Sequence, residues 1–132
     1  MEINGIFFYS NGGRYEGQFK NDMKDGFGID IYSNEEYYIG EFKNDLREGY
    51  GIEYFFDGLR YEGDFKNDKR EGYGIIYFND EVIYEGEFKN NNREGYGLDF
   101  KLNGSKYIGE FKNNLKEGFR IYYRSNEDRI ES

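Results

Sequence analysis

The chain has 132 residues, a formal net charge of −9, no cysteine and no histidine, but 19 glycines, 15 tyrosines and 13 phenylalanines. Disulfide frameworks, thiolate metal sites and the usual zinc, Ser-His and Cys-His chemistries therefore lack their parts. The acidic balance disfavours nucleic acid, no apolar run approaches the ~18 residues of a membrane span, and no leader pattern opens the chain. The expected location is cytoplasmic, with cytoskeletal or membrane association as further options.

In chain order, residues 1–14 read as half of a unit: Gly5-Ile6 and Tyr9-Ser10-Asn11 precede Gly28-Ile29 and Tyr32-Ser33-Asn34 by one period. Tyr-x-Gly-x-Phe then opens at Tyr15, Tyr38, Tyr61, Tyr84 and Tyr107, every 23 residues. This spacing defines units 15–37, 38–60, 61–83, 84–106 and 107–129. Lys-Asn follows each Phe, and a basic-acidic-Gly-aromatic stretch comes next, from Lys24-Asp25-Gly26-Phe27 to Lys116-Glu117-Gly118-Phe119. Four copies end on a second glycine (Gly28, Gly51, Gly74, Gly97), where the fifth has Arg120. Residues 130–132 are the degraded start of a sixth unit, with Ile130 in the Tyr phase. A fixed period of this length is the signature of a repeat array in which each unit stacks on its neighbours.

Each unit holds two predicted strands, such as Tyr61–Lys66 and Gly72–Phe78, both with a period of two. So many glycines suit a helix poorly, whereas Tyr, Phe and Ile suit a pleated sheet. Asn11-Gly12, Asp57-Gly58 and Asn103-Gly104 read as two-residue type I′ hairpin turns. Asn34-Glu35 and Asp80-Glu81 fill the same slot with a less suitable second residue, so those turns are expected to be looser. The other turn is Asn-Asp or Asn-Asn, whose side chains tolerate left-handed backbone. A two-residue loop at Asp57-Gly58 sets Tyr54 opposite Tyr61, Ile52 opposite Gly63 and Tyr50 opposite Phe65. One face then carries the aromatic rows over glycine, and the other carries Glu53, Glu62, Asp64 and Lys66. Eleven strands at ~4.8 Å make a ribbon about 50 Å long.

Residues 15–124 are similar to the MORN repeat, whose motif runs Tyr-x-Gly-x-aromatic, a turn, then Gly-x-Gly. The resemblance implies repeated hairpins joined into an elongated single antiparallel meander sheet, in keeping with the all-β fold read from the strand patterns; such a sheet is expected to be twisted until its rings pack into an aromatic groove. It also implies a docking or scaffolding role, and membrane association in some members.

Residues present in every unit are explained by folding. The Lys20, Lys43, Lys66, Lys89 and Lys112 row, beside Gln18, Glu41, Asp64, Glu87 and Glu110, is expected to form exposed ion-pair ladders. Recognition belongs where the units differ. The candidate partner contacts are Tyr32, Tyr54, Phe55, Tyr77 and Phe78, binding a helix or extended peptide of another protein. Net charge by unit runs −4, −2, −3, 0 and +1, so the alternative of anionic lipid headgroups falls on the C-terminal part, at Arg120 and Arg124. Phe7 and Tyr122 suit end caps or self-association as a structural unit. Opposed carboxylates such as Glu53 and Glu62 are the only acid–base candidates, and no nucleophile accompanies them. No enzyme, metal or cofactor is expected.

Overall fold

The computed structural model describes residues 2–55, 57–101, 103–124 and 129–131. Among them are twelve strands: β1 (Glu2–Phe8), β2 (Arg14–Lys20), β3 (Met23–Ile31), β4 (Tyr37–Lys43), β5 (Leu46–Tyr54) and β6 (Leu59–Lys66). The second half comprises β7 (Lys69–Phe78), β8 (Glu81–Lys89), β9 (Asn92–Phe100), β10 (Lys106–Lys112), β11 (Leu115–Tyr123) and β12 (Arg129–Glu131). They pair strictly in sequence order into one antiparallel sheet that does not close. The architecture is the expected all-β meander.

The turns within units follow the Asx chemistry. Asn67 and Asp68 sit at φ 49° and 72°, and Asn21-Asp22, Asn44-Asp45, Asn90-Asn91 and Asn113-Asn114 do the same. These are two-residue loops, with Lys66 directly opposite Lys69. The turns between units differ from the expectation. The Tyr9 amide donates to the Gly13 carbonyl at 2.9 Å, and Gly12 takes φ 103°. Tyr32 with Glu36, Phe55 with Leu59 and Lys101 with Ser105 repeat that bond. The loops therefore hold three residues, the last of them left-handed in each, with Asp57 left-handed beside Gly58 as well. Even Glu35 adopts φ 72°. At the fourth junction the turn pair is Asn79-Asp80 and not Asp80-Glu81, and a bulge at Ile76/Tyr77 absorbs the difference.

One extra loop residue moves the register by one, and that reverses the faces. Tyr54 lies opposite Arg60, Ile52 opposite Glu62 and Tyr50 opposite Asp64. Tyr61 faces Glu53, and Phe65 faces Gly49. The expected Tyr54–Tyr61, Ile52–Gly63 and Tyr50–Phe65 pairs do not form. Tyr50, Ile52 and Tyr54 point away from Tyr61 and Phe65, and Glu53 and Glu62 occupy opposite faces, which removes the proposed carboxylate pair.

A single sheet must still find a core. It does so with a continuous ladder of edge-to-face rings running across the strands. Each tyrosine meets the Phe of its own unit and the Phe of the next: Tyr61 lies 5.2 Å from Phe65 and 5.0 Å from Phe88. Tyr15, Tyr38 and Tyr84 make the same two contacts, and the ladder ends at Tyr107 and Tyr122. Each Tyr ring folds down onto a glycine pair, except Tyr107, which covers Gly109 and Arg120, and each donates its hydroxyl to a backbone carbonyl, as Tyr61 does to Asp64 at 2.8 Å. A Cβ on Gly74 would stand 2.3 Å from the Tyr61 ring, which is why that strand position carries glycine. All five tyrosines are at most 1% exposed.

Candidate docking faces

The face bearing the ladder is sealed by cations. The bulged register of the even–odd hairpins places Lys24, Arg47, Arg70, Arg93 and Lys116 opposite Phe19, Phe42, Phe65, Phe88 and Phe111. Their charged heads reach over the rings: Arg47 stands 5.0 Å from the Phe65 centroid, and Lys116 4.7 Å from that of Tyr107. Carboxylates hold these heads in place. Lys24 pairs with Asp30 at 3.1 Å, and Glu53 takes both Arg47 at 3.1 Å and Arg70 at 3.2 Å. Asp99 takes Lys116 at 3.4 Å. In that row the third and fifth units substitute Ile76 and Tyr122, so Arg70 and Lys116 borrow an acid from the preceding unit.

Burial governs the phenols on this face. Desolvation, with the Asp30 charge next in importance, pushes Tyr15 up to about 12. Burial raises Tyr38, Tyr61 and Tyr84 further. Such hydroxyls stay protonated at neutral pH and act as donors, not as bases or nucleophiles. Among the described residues no group of His, Cys, Asp or Glu is arranged to hold a metal ion.

The opposite face is open. Phe27, Tyr50, Tyr73, Tyr96 and Phe119, one per unit, are 55%, 51%, 50%, 66% and 69% exposed. Each follows a left-handed glycine of the bulge, such as Gly72 at φ 82°. The backbone amide of the ring residue would be stranded there. A side chain from the neighbouring strand accepts from it: Gln18 for Phe27 at 2.6 Å, Glu41 for Tyr50 at 2.9 Å and Glu87 for Tyr96 at 3.0 Å. Gln18 and the acids of this row are therefore backbone caps, and none of the ion pairs among the described residues joins the acids to the expected lysine ladder.

Between successive rings lies a trough whose floor is the even strand. Its floor residue on the row of Ile52 varies: Ile39 on β4, Glu62 on β6, Glu85 on β8 and Ile108 on β10. The trough from Phe27 to Tyr50, over Ile39, holds a depression of about 580 Å³. Aliphatic floors and aromatic walls make a surface for apolar side chains. Lys20, Lys43, Lys66, Lys89 and Lys112 stand exposed along one border of this face.

The five contacts expected from sequence divide between the faces. Tyr32 and Phe55 pack against the ladder, where Arg70 lies 5.8 Å from the Phe55 ring. Tyr54 stacks on Tyr37 at 4.5 Å on the open face, and Tyr77 lies 4.0 Å from the Arg60 guanidinium on that same face. Phe78 ends β7 opposite Leu59. Of the two expected lipid contacts, Arg120 is half-buried opposite Gly109, with a buried Nε that has no partner among the described residues, while Arg124 is exposed beyond β11. The ring of the Gly-aromatic-Gly stretch and the basic residue before it recur in every unit and so read as folding elements in the sequence. Parity across the bulge would have separated them onto different faces.

The family model for the MORN repeat matches residues 15–34, 38–60, 61–81, 84–98 and 107–129, well over half of the chain. No curated protein matches it. MORN repeats are a non-enzymatic module that generally mediates protein or membrane interactions. Repeat period, ring-over-glycine packing and family match agree, and the chain belongs to the MORN repeat family.

Proposed function

We propose that this chain is a non-catalytic docking module that receives a helical or extended segment of a partner protein across the strands of its open face. The observation that carries this reading is the row of five rings, each at least half exposed, that the core does not use. Rings of this size left in water on one side of a sheet are a standing source of binding energy, released when a partner covers them. The ladder face supports the role differently: its rings are already covered, so it supplies rigidity. Tyr54 and Tyr77 flank the row and extend the contact surface. Tyr32, Phe55 and Phe78 lie toward the hairpin ends and would meet a partner that wraps around them.

Peptides selected on the folded protein from a random library provide the test, with the bound footprint read by amide chemical-shift changes. The expected footprint covers Phe27, Tyr50, Tyr73 and Tyr96. Footprints confined to the ladder face or to the sheet edges would refute the reading. A second reading, peripheral contact with anionic lipid, draws support from the lysine row bordering the same rings. Co-sedimentation with anionic vesicles that persists at physiological salt, and is lost on reversing Lys43, Lys66 and Lys89, would establish it. Protein remaining in the supernatant at low salt would exclude it.

A further inference from the structure

The ring row has a period. Phe27, Tyr50, Tyr73, Tyr96 and Phe119 stand on alternate strands, β3, β5, β7, β9 and β11. Strands lie ~4.8 Å apart, so successive rings are ~9.6 Å apart along the sheet. A polyproline II segment advances ~3.1 Å per residue and repeats every three residues, or ~9.3 Å. A helix repeats its apolar stripe every seven residues, or ~10.5 Å. Over the four intervals of the row the first accumulates ~1 Å of mismatch and the second ~4 Å.

The trough floors add a charge pattern. On this face Glu16 is neutralised by Arg14 at 2.7 Å, and Glu62 by Arg60 at 2.8 Å. The same phase of the fourth junction carries Ile83 in place of an arginine. Glu85 is thus left with the Tyr73 hydroxyl as its hydrogen-bond partner and takes part in none of the ion pairs among the described residues. Four strand spacings, from β4 to β8, separate it from Ile39, or ~19 Å, which is six residues of polyproline II.

Resting on the docking role proposed above, we infer that the open face binds a proline-rich, basic segment of a partner in the polyproline II conformation, laid across the strands. Pro-x-x-Pro-x-x-Arg is the minimal pattern. Its first proline enters the apolar trough over Ile39, the second the trough between Tyr50 and Tyr73, and the arginine pairs with Glu85 between Tyr73 and Tyr96. Such a segment brings its extended shape ready-made, so little order is lost on binding, and aromatic-walled grooves suit proline rings. Its backbone carbonyls stay solvated on an open surface.

The test uses the full chain and three synthetic peptides of equal length. One carries the three-residue pattern, one has the arginine moved by one residue, and one is an amphipathic helix with heptad spacing. The patterned peptide should bind with a footprint on Phe27, Tyr50, Tyr73 and Tyr96 and at least tenfold more tightly than the shifted one. Glu85→Lys should weaken it about tenfold, and exchanging the peptide's arginine for glutamate should restore binding to that variant. Ile39→Lys should weaken it independently. Tighter binding of the heptad peptide on the same rings would overturn the polyproline assignment while leaving the docking face in place. Failure of the patterned peptide to bind, or equal binding of the shifted one, would overturn the assignment as well.

Discussion

Replacing Tyr61 with alanine removes the central rung of the ladder. The ring is 0% exposed and lies between Phe65 at 5.2 Å and Phe88 at 5.0 Å, so it joins the third unit to the fourth. Loss of a buried ring of this size costs roughly 3–5 kcal/mol through lost transfer energy and an unfilled cavity. Within that figure the two edge-to-face contacts contribute about 0.5–1.5 kcal/mol each. The hydroxyl is a separate quantity, because its bond to the Asp64 carbonyl at 2.8 Å is worth about 1 kcal/mol net. Tyr61→Phe should therefore cost about 1 kcal/mol and Tyr61→Ala three to five times as much. Stability in a stacked array is a sum of unit and nearest-neighbour terms, so a cut at the centre should also uncouple the halves. Urea unfolding followed by far-UV circular dichroism should show one transition for the parent and for Tyr61→Phe, and two for Tyr61→Ala. A single transition for Tyr61→Ala, displaced by no more than that of Tyr61→Phe, would refute the ladder as the core.

Two further predictions concern the same ladder. Unfolded phenols ionise near 10, whereas burial holds Tyr15 up to about 12 and Tyr38, Tyr61 and Tyr84 higher still. The unfolded chain therefore loses protons first as pH rises. Stability is complete below pH ~10 and falls above it by about 1.4 kcal/mol per pH unit for each such residue. Thermal melts should be flat from neutral pH to pH ~9 and collapse by pH ~11, with a cooperative rise in phenolate absorbance; smooth titration of every tyrosine near 10 without unfolding would contradict this. At the other end of the ladder, Arg120→Gly removes a buried Nε that has no partner among the described residues and returns the fifth unit to the Gly-x-Gly pattern of the others. It should raise stability by about 1 kcal/mol, seen as a higher Tm; a lower Tm would mean the arginine's packing on Tyr107 outweighs its stranded N–H.

The residues of the unit carry more of this architecture than their spacing alone suggests. Asn67-Asp68 states its own turn, because Asx residues enter left-handed backbone at little cost. Gly63 and Gly74 announce the ring above them, since glycine within a strand needs something close to the backbone. Asp57-Gly58 is less informative. The same dipeptide suits a two-residue loop and the end of a three-residue one, and the choice between them decides which face every side chain of β5 takes. The acids after the Tyr-x-Gly show the same limit. Glu41 and Glu87 look like surface charges until the bulge strands an amide beside them.

Class, period, strand order and the need for rings to lean over the strand glycines are legible in the residues, because these rest on local chemistry repeated in phase. The register, and with it which rings are core and which stand in water, is set by the folded sheet. That decision depends on one residue of loop length and one bulge per hairpin, set by the backbone hydrogen bonds of neighbouring strands together. Tyr50 and Tyr61 are both tyrosines in strands beside glycines; their opposite fates follow from the pairing of β5 with β6.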